Sequence, residues 1–353
     1  MPEPVPKSRA RPVEVTVAIP VRDGSPLLAR TLVALAEQTV AHELLVCDSG
    51  SRDGSVALAR EHGARVIEIA PERFSHGGTR NLLMREATGA HVAFLTQDAE
   101  PSDERWLERL LSGFALVPEV GLVYGSFRPR PDAPPAARLE LERWFASLSP
   151  DGVPRIDRLA PDERPVLIEL IGPRGFCTDT NACLARGAWE RAPFREVAYA
   201  EDRALAIDML KAGYAKAYVP EAAVFHSHSY TLAQELKRCF DEWRGLLEVY
   251  GFREPAAPGH LVRRFRGELG AARRQLRREG ASPRVRCRAL AAVAARQPFR
   301  ISGALLGSRA DRLPARARQA LSLERRASFR PLRPVPDERG GGSPTTSIPE
   351  QTP

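Results

Sequence analysis

Three short acidic segments could do chemistry if the fold brought them together: Val21-Arg22-Asp23-Gly24, the Asp48-to-Ser55 block that also holds Asp53, and Leu95-Thr96-Gln97-Asp98. Each carboxylate follows an apolar run and precedes turn residues, the pattern of a chain leaving the carboxyl end of a buried strand. In open α/β sheets that edge is where ligands bind. Taken singly, each aspartate is explained by turn formation or helix capping, which favour Asp and Asp-Gly. Together at one sheet edge, they could read the base and ribose of a nucleotide and hold a hard divalent cation. Mg²⁺ takes few protein carboxylates and fills its shell with phosphate oxygens and water, and Asp98 is the candidate ligand. No Gly-x-Gly-x-x-Gly follows the first strand and no Gly-Lys-Ser/Thr loop is present, so neither a dinucleotide site nor a P-loop kinase is supported.

The elements that must position these residues alternate. Val13–Ile19, Glu43–Cys47, Arg65–Ile69 and His91–Leu95 read as strands rich in β-branched and apolar residues. Between them lie a helix capped by Ser25 with Leu28, Leu32 and Leu35 on one face, a helix reaching Glu61, and a helix opened by Gly77-Gly78-Thr79-Arg80-Asn81. This βαβαβαβ series predicts a parallel sheet with helices on both faces. Further on, helices are expected at Trp106–Phe114, Ala136–Leu148, Ala200–Ala212 and Leu232–Tyr250. Strands are expected at Val120–Phe127, Thr180–Ala185, Tyr214–Val219 and Ala223–Ser227, with a loop over Ser149–Pro165. Tyr199-Ala-Glu201-Asp202-Arg203 puts two acids in the first turn of its helix, which the helix dipole favours without any function. Trp189 and Trp243 read as core residues rather than sugar-stacking platforms.

The chain has 353 residues and a hydrophobic fraction of 43%, enough for a large core. No apolar run approaches the ~20 residues a membrane span needs, and the first residues lack the apolar core of a secretory signal, so a cytoplasmic protein is expected. Five scattered cysteines suggest buried thiols rather than zinc or disulfides. The net charge of +8 is concentrated late, where residues 261–333 carry 20 Arg against 4 acids. Arg-rich helices spaced by Ala and Leu could be solvated faces, a nucleic-acid footprint or a surface for anionic lipid. No nucleic-acid motif accompanies them, so nucleic acid is disfavoured, while the other two readings stay open.

Several blocks in order resemble family-2 nucleotide-sugar glycosyltransferases with the GT-A fold, in particular a bacterial rhamnosyltransferase subset. They are Ile19-Pro20-Val-Arg22-Asp23, Cys47-Asp48-Ser-Gly-Ser-Arg-Asp53, Phe74-Ser-His76-Gly-Gly-Thr-Arg80-Asn81, Leu95-Thr-Gln97-Asp98 and Val224-Phe-His226-Ser-His228-Ser-Tyr230. The resemblance covers about residues 13–244 and implies roles position by position. Pro20, Arg22, Asp23, Asp48 and Gln97 would line the nucleotide-sugar site, and Arg80 would sit by the diphosphate or buttress the metal aspartate. Asp98 is the surviving acid of the family's Asp-x-Asp motif, Thr96 standing at the other position. His226 is its expected partner in holding Mg²⁺ or Mn²⁺, with His228 the alternative. Asp202 is the implied general base, supported by Glu201, and Asp179 and Asn181 would face the acceptor.

The implied organisation is a GT-A domain over 13–250, a basic helical extension over 251–330, and disordered ends at 1–12 and 331–353. The implied reaction is inverting transfer of a sugar, L-rhamnose among the candidates, from a nucleoside diphosphate to a glycan or lipid-linked acceptor. Attachment to the inner face of the plasma membrane through the Arg-rich helices is part of that expectation. The rival readings are a nucleotidyltransferase, which needs a longer Gly- and Arg/Lys-containing loop than Val21–Gly24, and a non-catalytic basic binding module.

Overall fold

The computed structural model describes residues 14–324. The ends expected to be disordered, 1–12 and 331–353, lie outside the described residues. The first half follows the sequence pattern: β1 (Val15–Val21), α1 (Leu27–Ala36), β2 (Glu43–Asp48), α2 (Ser55–Glu61), β3 (Arg65–Glu68), α3 (His76–Glu86) and β4 (His91–Leu95). β3, β2, β1 and β4 pair in parallel. The helix caps differ in one respect. α1 begins after Pro26 with no side-chain cap, whereas Ser25 uses its backbone N–H to bond Asp53 at 2.9 Å.

Beyond β4 the chain continues through β5 (Glu100–Pro101), α4 (Trp106–Ser112), β6 (Val120–Arg128), α5 (Pro135–Leu148) and β7 (Arg155–Asp157). Then come β8 (Asn181–Ala185), α6 (Arg186–Arg191), α7 (Glu201–Lys211) and β9 (Ala215–Phe225). The sheet order is β3-β2-β1-β4-β8-β6-β9-β5, with β7 also on β9. β8 runs antiparallel between β4 and β6, so the sheet is mixed rather than wholly parallel. The two short late strands expected from the sequence are one strand, β9, whose first half pairs with β7 and whose second half pairs with β5. The expected Ser149–Pro165 loop thus contains a strand, pinned by buried Lys216 donating to Asp157 at 2.9 Å.

Alternation along the strands fills two cores. Val92 and Phe94 of β4, Leu122 and Tyr124 of β6, and Ala182 and Leu184 of β8 enter one. Ala93, Leu95, Val123 and Cys183 enter the other. Strands buried on both faces carry no polar stripe, which is why they read as continuous apolar runs.

α8 (Leu232–Tyr250), α9 (Pro258–Arg278), α10 (Pro283–Gly307) and α11 (Ala315–Leu321) complete the described chain. α8 carries a Thr231–Gln234 capping box. α10 runs on past Pro298 to Gly307, and Gly303 and Gly307 let it lie directly on α8. A Cβ on Gly303 would meet the Leu236 carbonyl at 2.3 Å. Ala136 and Leu139 of α5, Ala272 and Leu276 of α9, and Ala289 and Val293 of α10 form a small core of their own. No described helix is long and apolar enough to cross a membrane.

Candidate active site

A cavity of about 580 Å³ opens at the carboxyl edge of β1 and β4. Asp98 enters it just past β4, and His226 and His228 just past β9. His226 Nδ1 lies 3.5 Å from Asp98 Oδ1, and His228 Nδ1 lies 3.8 Å from Asp98 Oδ2. One ligand atom from each of these residues falls within 4.8 Å of the others. His226 Nδ1 is buried with no hydrogen-bond partner, an orphaned atom that a bound ion would explain.

The electrostatics fit the same purpose. Burial works to raise the Asp98 carboxyl, but His226 and His228, with the Thr96 hydroxyl and Arg130, together hold the group below its ordinary value. Burial depresses His226, and burial with His226 pushes His228 down to about 4. An ionised carboxylate between neutral imidazoles is the protonation state a divalent cation requires. The donor set suits Mn²⁺ at least as well as Mg²⁺, which prefers oxygen alone.

Across the cavity, Ala200 adopts a left-handed conformation with φ +67° just before α7. An L-residue seldom takes that conformation, and it turns Glu201 and Asp202 inward. Burial, and then Asp179, raise the Asp202 carboxyl to about 7. Arg80, almost wholly buried on α3, sits with Nε 2.6 Å from Asp179 Oδ2 and Nη1 3.2 Å from Glu201 Oε1. It therefore buttresses the acids before and at α7 rather than Asp98. One guanidinium facing two buried carboxylates leaves a charge in excess, and burial with Glu201 raises Asp179 to about 8. His76, the first residue of α3, completes the cluster between Glu201 Oε1 at 3.7 Å and Glu324 Oε1 at 2.8 Å.

The nucleoside-side residues divide into wall and scaffold. Pro20, Val21, Arg22, Ser49 and Gln97 line the cavity. Gln97 clamps the Arg22 backbone, accepting from its N–H at 2.8 Å and donating to its carbonyl at 3.0 Å. Asp23 and Asp48 are outside the wall. Asp48 accepts from the N–H groups of Gly50 and Ser51 at 2.9 and 3.0 Å, and Asp23 accepts from the Arg52 N–H at 2.8 Å. Asp48 thus braces the loop after β2 from within, and Asp23 ties the loop after β1 to it.

Asn181 is likewise not at the acceptor side. It is fully buried, accepts from the Trp106 indole at 2.9 Å and donates to the Ser126 and Ala222 carbonyls at 3.1 and 2.8 Å. All of its polar atoms hold β8 in the sheet. The cavity also uses residues the sequence reading gave no role: His76, Tyr199, Arg238 and Glu324. His76 stood inside a quoted motif, but Arg238 and Glu324 carry no local signal.

Residues 16–164 match the family model described as glycosyl transferase family 2. The O-antigen chain rhamnosyltransferase RfbN of Salmonella typhimurium is 34% identical over 234 residues, 65% of this chain and 71% of RfbN. The chain belongs to glycosyl transferase family 2. Within the family it falls in the rhamnosyltransferase-like subset. The O-antigen chain rhamnosyltransferase WbaN of Salmonella anatum is 35% identical over 202 residues, 56% of this chain and 61% of WbaN. Among solved structures, a mannosyltransferase from Pyrobaculum calidifontis, in complex with GDP-Man and Mn²⁺, superposes with a TM-score of 0.55. It covers 83% of this chain and 86% of its own at 18% identity, a likeness of fold. The GT-A architecture expected from the ordered blocks is the one observed.

Proposed function

We propose that this glycosyltransferase moves L-rhamnose from a nucleoside diphosphate to a hydroxyl of a glycan or lipid-linked acceptor, with inversion, in the synthesis of a surface polysaccharide. The observation that carries this reading is that Asp98, His226 and His228 open onto the same cavity as Asp202. That RfbN and WbaN are O-antigen chain rhamnosyltransferases supports the sugar and the pathway class.

In this reading the nucleoside lies against Pro20, Val21, Arg22 and Ser49, and the diphosphate reaches toward Asp98, His226 and His228, which would hold Mn²⁺ or Mg²⁺. A cation bound there neutralises charge on the departing diphosphate. Asp202 takes the proton from the acceptor hydroxyl as that oxygen bonds to the anomeric carbon and the bond to the diphosphate breaks. With its carboxyl near 7, Asp202 is a base matched to neutral pH. Arg80, Asp179 and Glu201 hold the start of α7 in place.

Thermal-shift titration with UDP, GDP and dTDP, each with and without Mn²⁺, tests the donor half. A ligand that binds only the folded chain raises its apparent stability. One nucleotide should stabilise the protein in a Mn²⁺-dependent way, and Asp98→Ala should lose the Mn²⁺ dependence. Silence across all three would overturn the reading. Action at the cytoplasmic face of an anionic membrane is the remaining part of it, supported by the exposed arginines of α9 that have no carboxylate partner among the described residues and tested by sedimentation with anionic vesicles.

A further inference from the structure

A second cavity, of about 650 Å³, lies between α5, α8, α9 and α10 and shares Phe127, His226, His228 and Arg238 with the first. We propose that it holds the acceptor as an uncharged oligosaccharide, a proposal that rests on the glycosyltransferase reading above and specifies its second substrate. The argument begins with continuity. An acceptor hydroxyl must reach Asp202, which lines the first cavity, while the next residue, Arg203, lines the second. The body of an acceptor attacking from that side extends into the second space, which is of the size that buries a small ligand.

The walls specify its chemistry. Trp144 of α5 is partly exposed and meets the Phe176 ring edge-on at 5.0 Å between centroids. Its indole N–H has no partner among the described residues. It offers a ring face and a donor at once, the combination that receives the C–H face and hydroxyls of a sugar. The deep arginines are already neutralised. Arg143 pairs with Glu268, Arg264 with Glu254 at 2.5 Å, and Arg296 and Arg300 with Glu235 and Glu140. These pairs present fixed hydrogen-bonding groups with little net charge. A phosphate or uronate would need cations free to turn toward it; Arg203 is held over the Phe176 ring at 5.0 Å and donates to the Ile171 carbonyl at 3.2 Å, which leaves Arg238 at the junction. Its guanidinium lies over the Tyr199 ring at 4.9 Å at the border of the first cavity, with no carboxylate partner among the described residues. The neutral glycan therefore occupies the inner groove.

The test uses the full chain loaded with Mn²⁺ and the nucleoside diphosphate that stabilises it, applied to a microarray of neutral and anionic oligosaccharides. Neutral glycans of two or more units should bind. Trp144→Ala should weaken that binding about tenfold, the upper range for a stacked aromatic contact. Ser147→Trp, which fills the groove from an exposed position on α5, should weaken it as much without removing a packed ring. Both variants should bind nucleotide like the wild type. Binding of anionic glycans alone, binding of none, or unaltered binding by both variants would overturn the proposal. If no nucleotide binds the wild type, it is the donor-site reading that fails. If nucleotide binds and the groove variants change nothing, the groove alone fails.

Discussion

At the residue scale, the most informative group is Asp202, because activity and stability make opposite demands on it. Its carboxyl is raised from an ordinary 3.8 to about 7. Between those values the folded chain keeps a proton that the unfolded chain has released, so stability falls as pH rises through that window. Asp202→Asn removes the cost. We expect the variant to be more stable than the wild type at pH 8, by on the order of a few kcal/mol, and equal to it near pH 4. Its kcat should fall by about 100-fold or more, as loss of a general base requires, and the wild-type acidic limb should have its midpoint near 7. Denaturant titrations at both pH values, beside a transfer assay, check this. A stability gain that does not depend on pH would remove the argument. Asp98, His226 and Asp202 were legible in the sequence because each stands at the end of an element inside a recognisable block. The His76–Glu324 contact was not, since 248 residues separate the two and only the tertiary fold brings them together. Asp48 and Asn181 show the opposite case: the residue type suggests chemistry, and the local hydrogen bonds take it up.

At the element scale, the early βαβ units were legible because hydrophobic period and turn residues agree there. The direction of β8 was not. Asn181–Ala185 is buried on both faces, and such a run reads the same whichever way it lies in the sheet. β9 looked like two strands because Pro220 interrupts the pattern. The ladder with β6 shifts register between Gly125 and Phe127, and the strand continues past the proline. The extent of α10 was hidden for a related reason. Pro298 and the glycines after it look like a helix ending, yet Gly303 is where α10 approaches α8. Gly303→Ala would place its Cβ 2.3 Å from the Leu236 carbonyl, and backbone on both sides must move. We expect a loss of about 1–3 kcal/mol in urea unfolding, while Ser302→Ala, at an exposed neighbouring position, should be neutral. Equal stability of the two variants would mean that the α8–α10 contact is looser than described.

At the scale of the whole molecule, charge is the organising quantity. The late excess of arginine does not form a separate basic module. Arg296 and Arg300 are drawn into the fold by Glu235 and Glu140, while α9 presents an exposed cationic face and Arg284 and Arg288 stay exposed at the start of α10. Arg263, Arg266, Arg273, Arg274, Arg277 and Arg278 are all exposed and have no carboxylate partner among the described residues. At 100° per residue they fall within an arc of roughly 140°, opposite the buried Ala272 and Leu276. That face has few apolar residues to insert into a bilayer, so attachment would be electrostatic, at about 1 kcal/mol for each arginine near an anionic surface. We expect the protein to sediment with phosphatidylglycerol-rich vesicles at low ionic strength, to ignore phosphatidylcholine vesicles, and to be released as salt shortens the screening length to about 3 Å near 1 M. Arg273→Gln with Arg277→Gln should lower vesicle affinity about tenfold or more, with nucleotide binding unchanged. Failure to bind the anionic vesicles, or equal affinity for duplex DNA at the same salt, would mean that the arginine face serves solubility or another polyanion instead of a membrane.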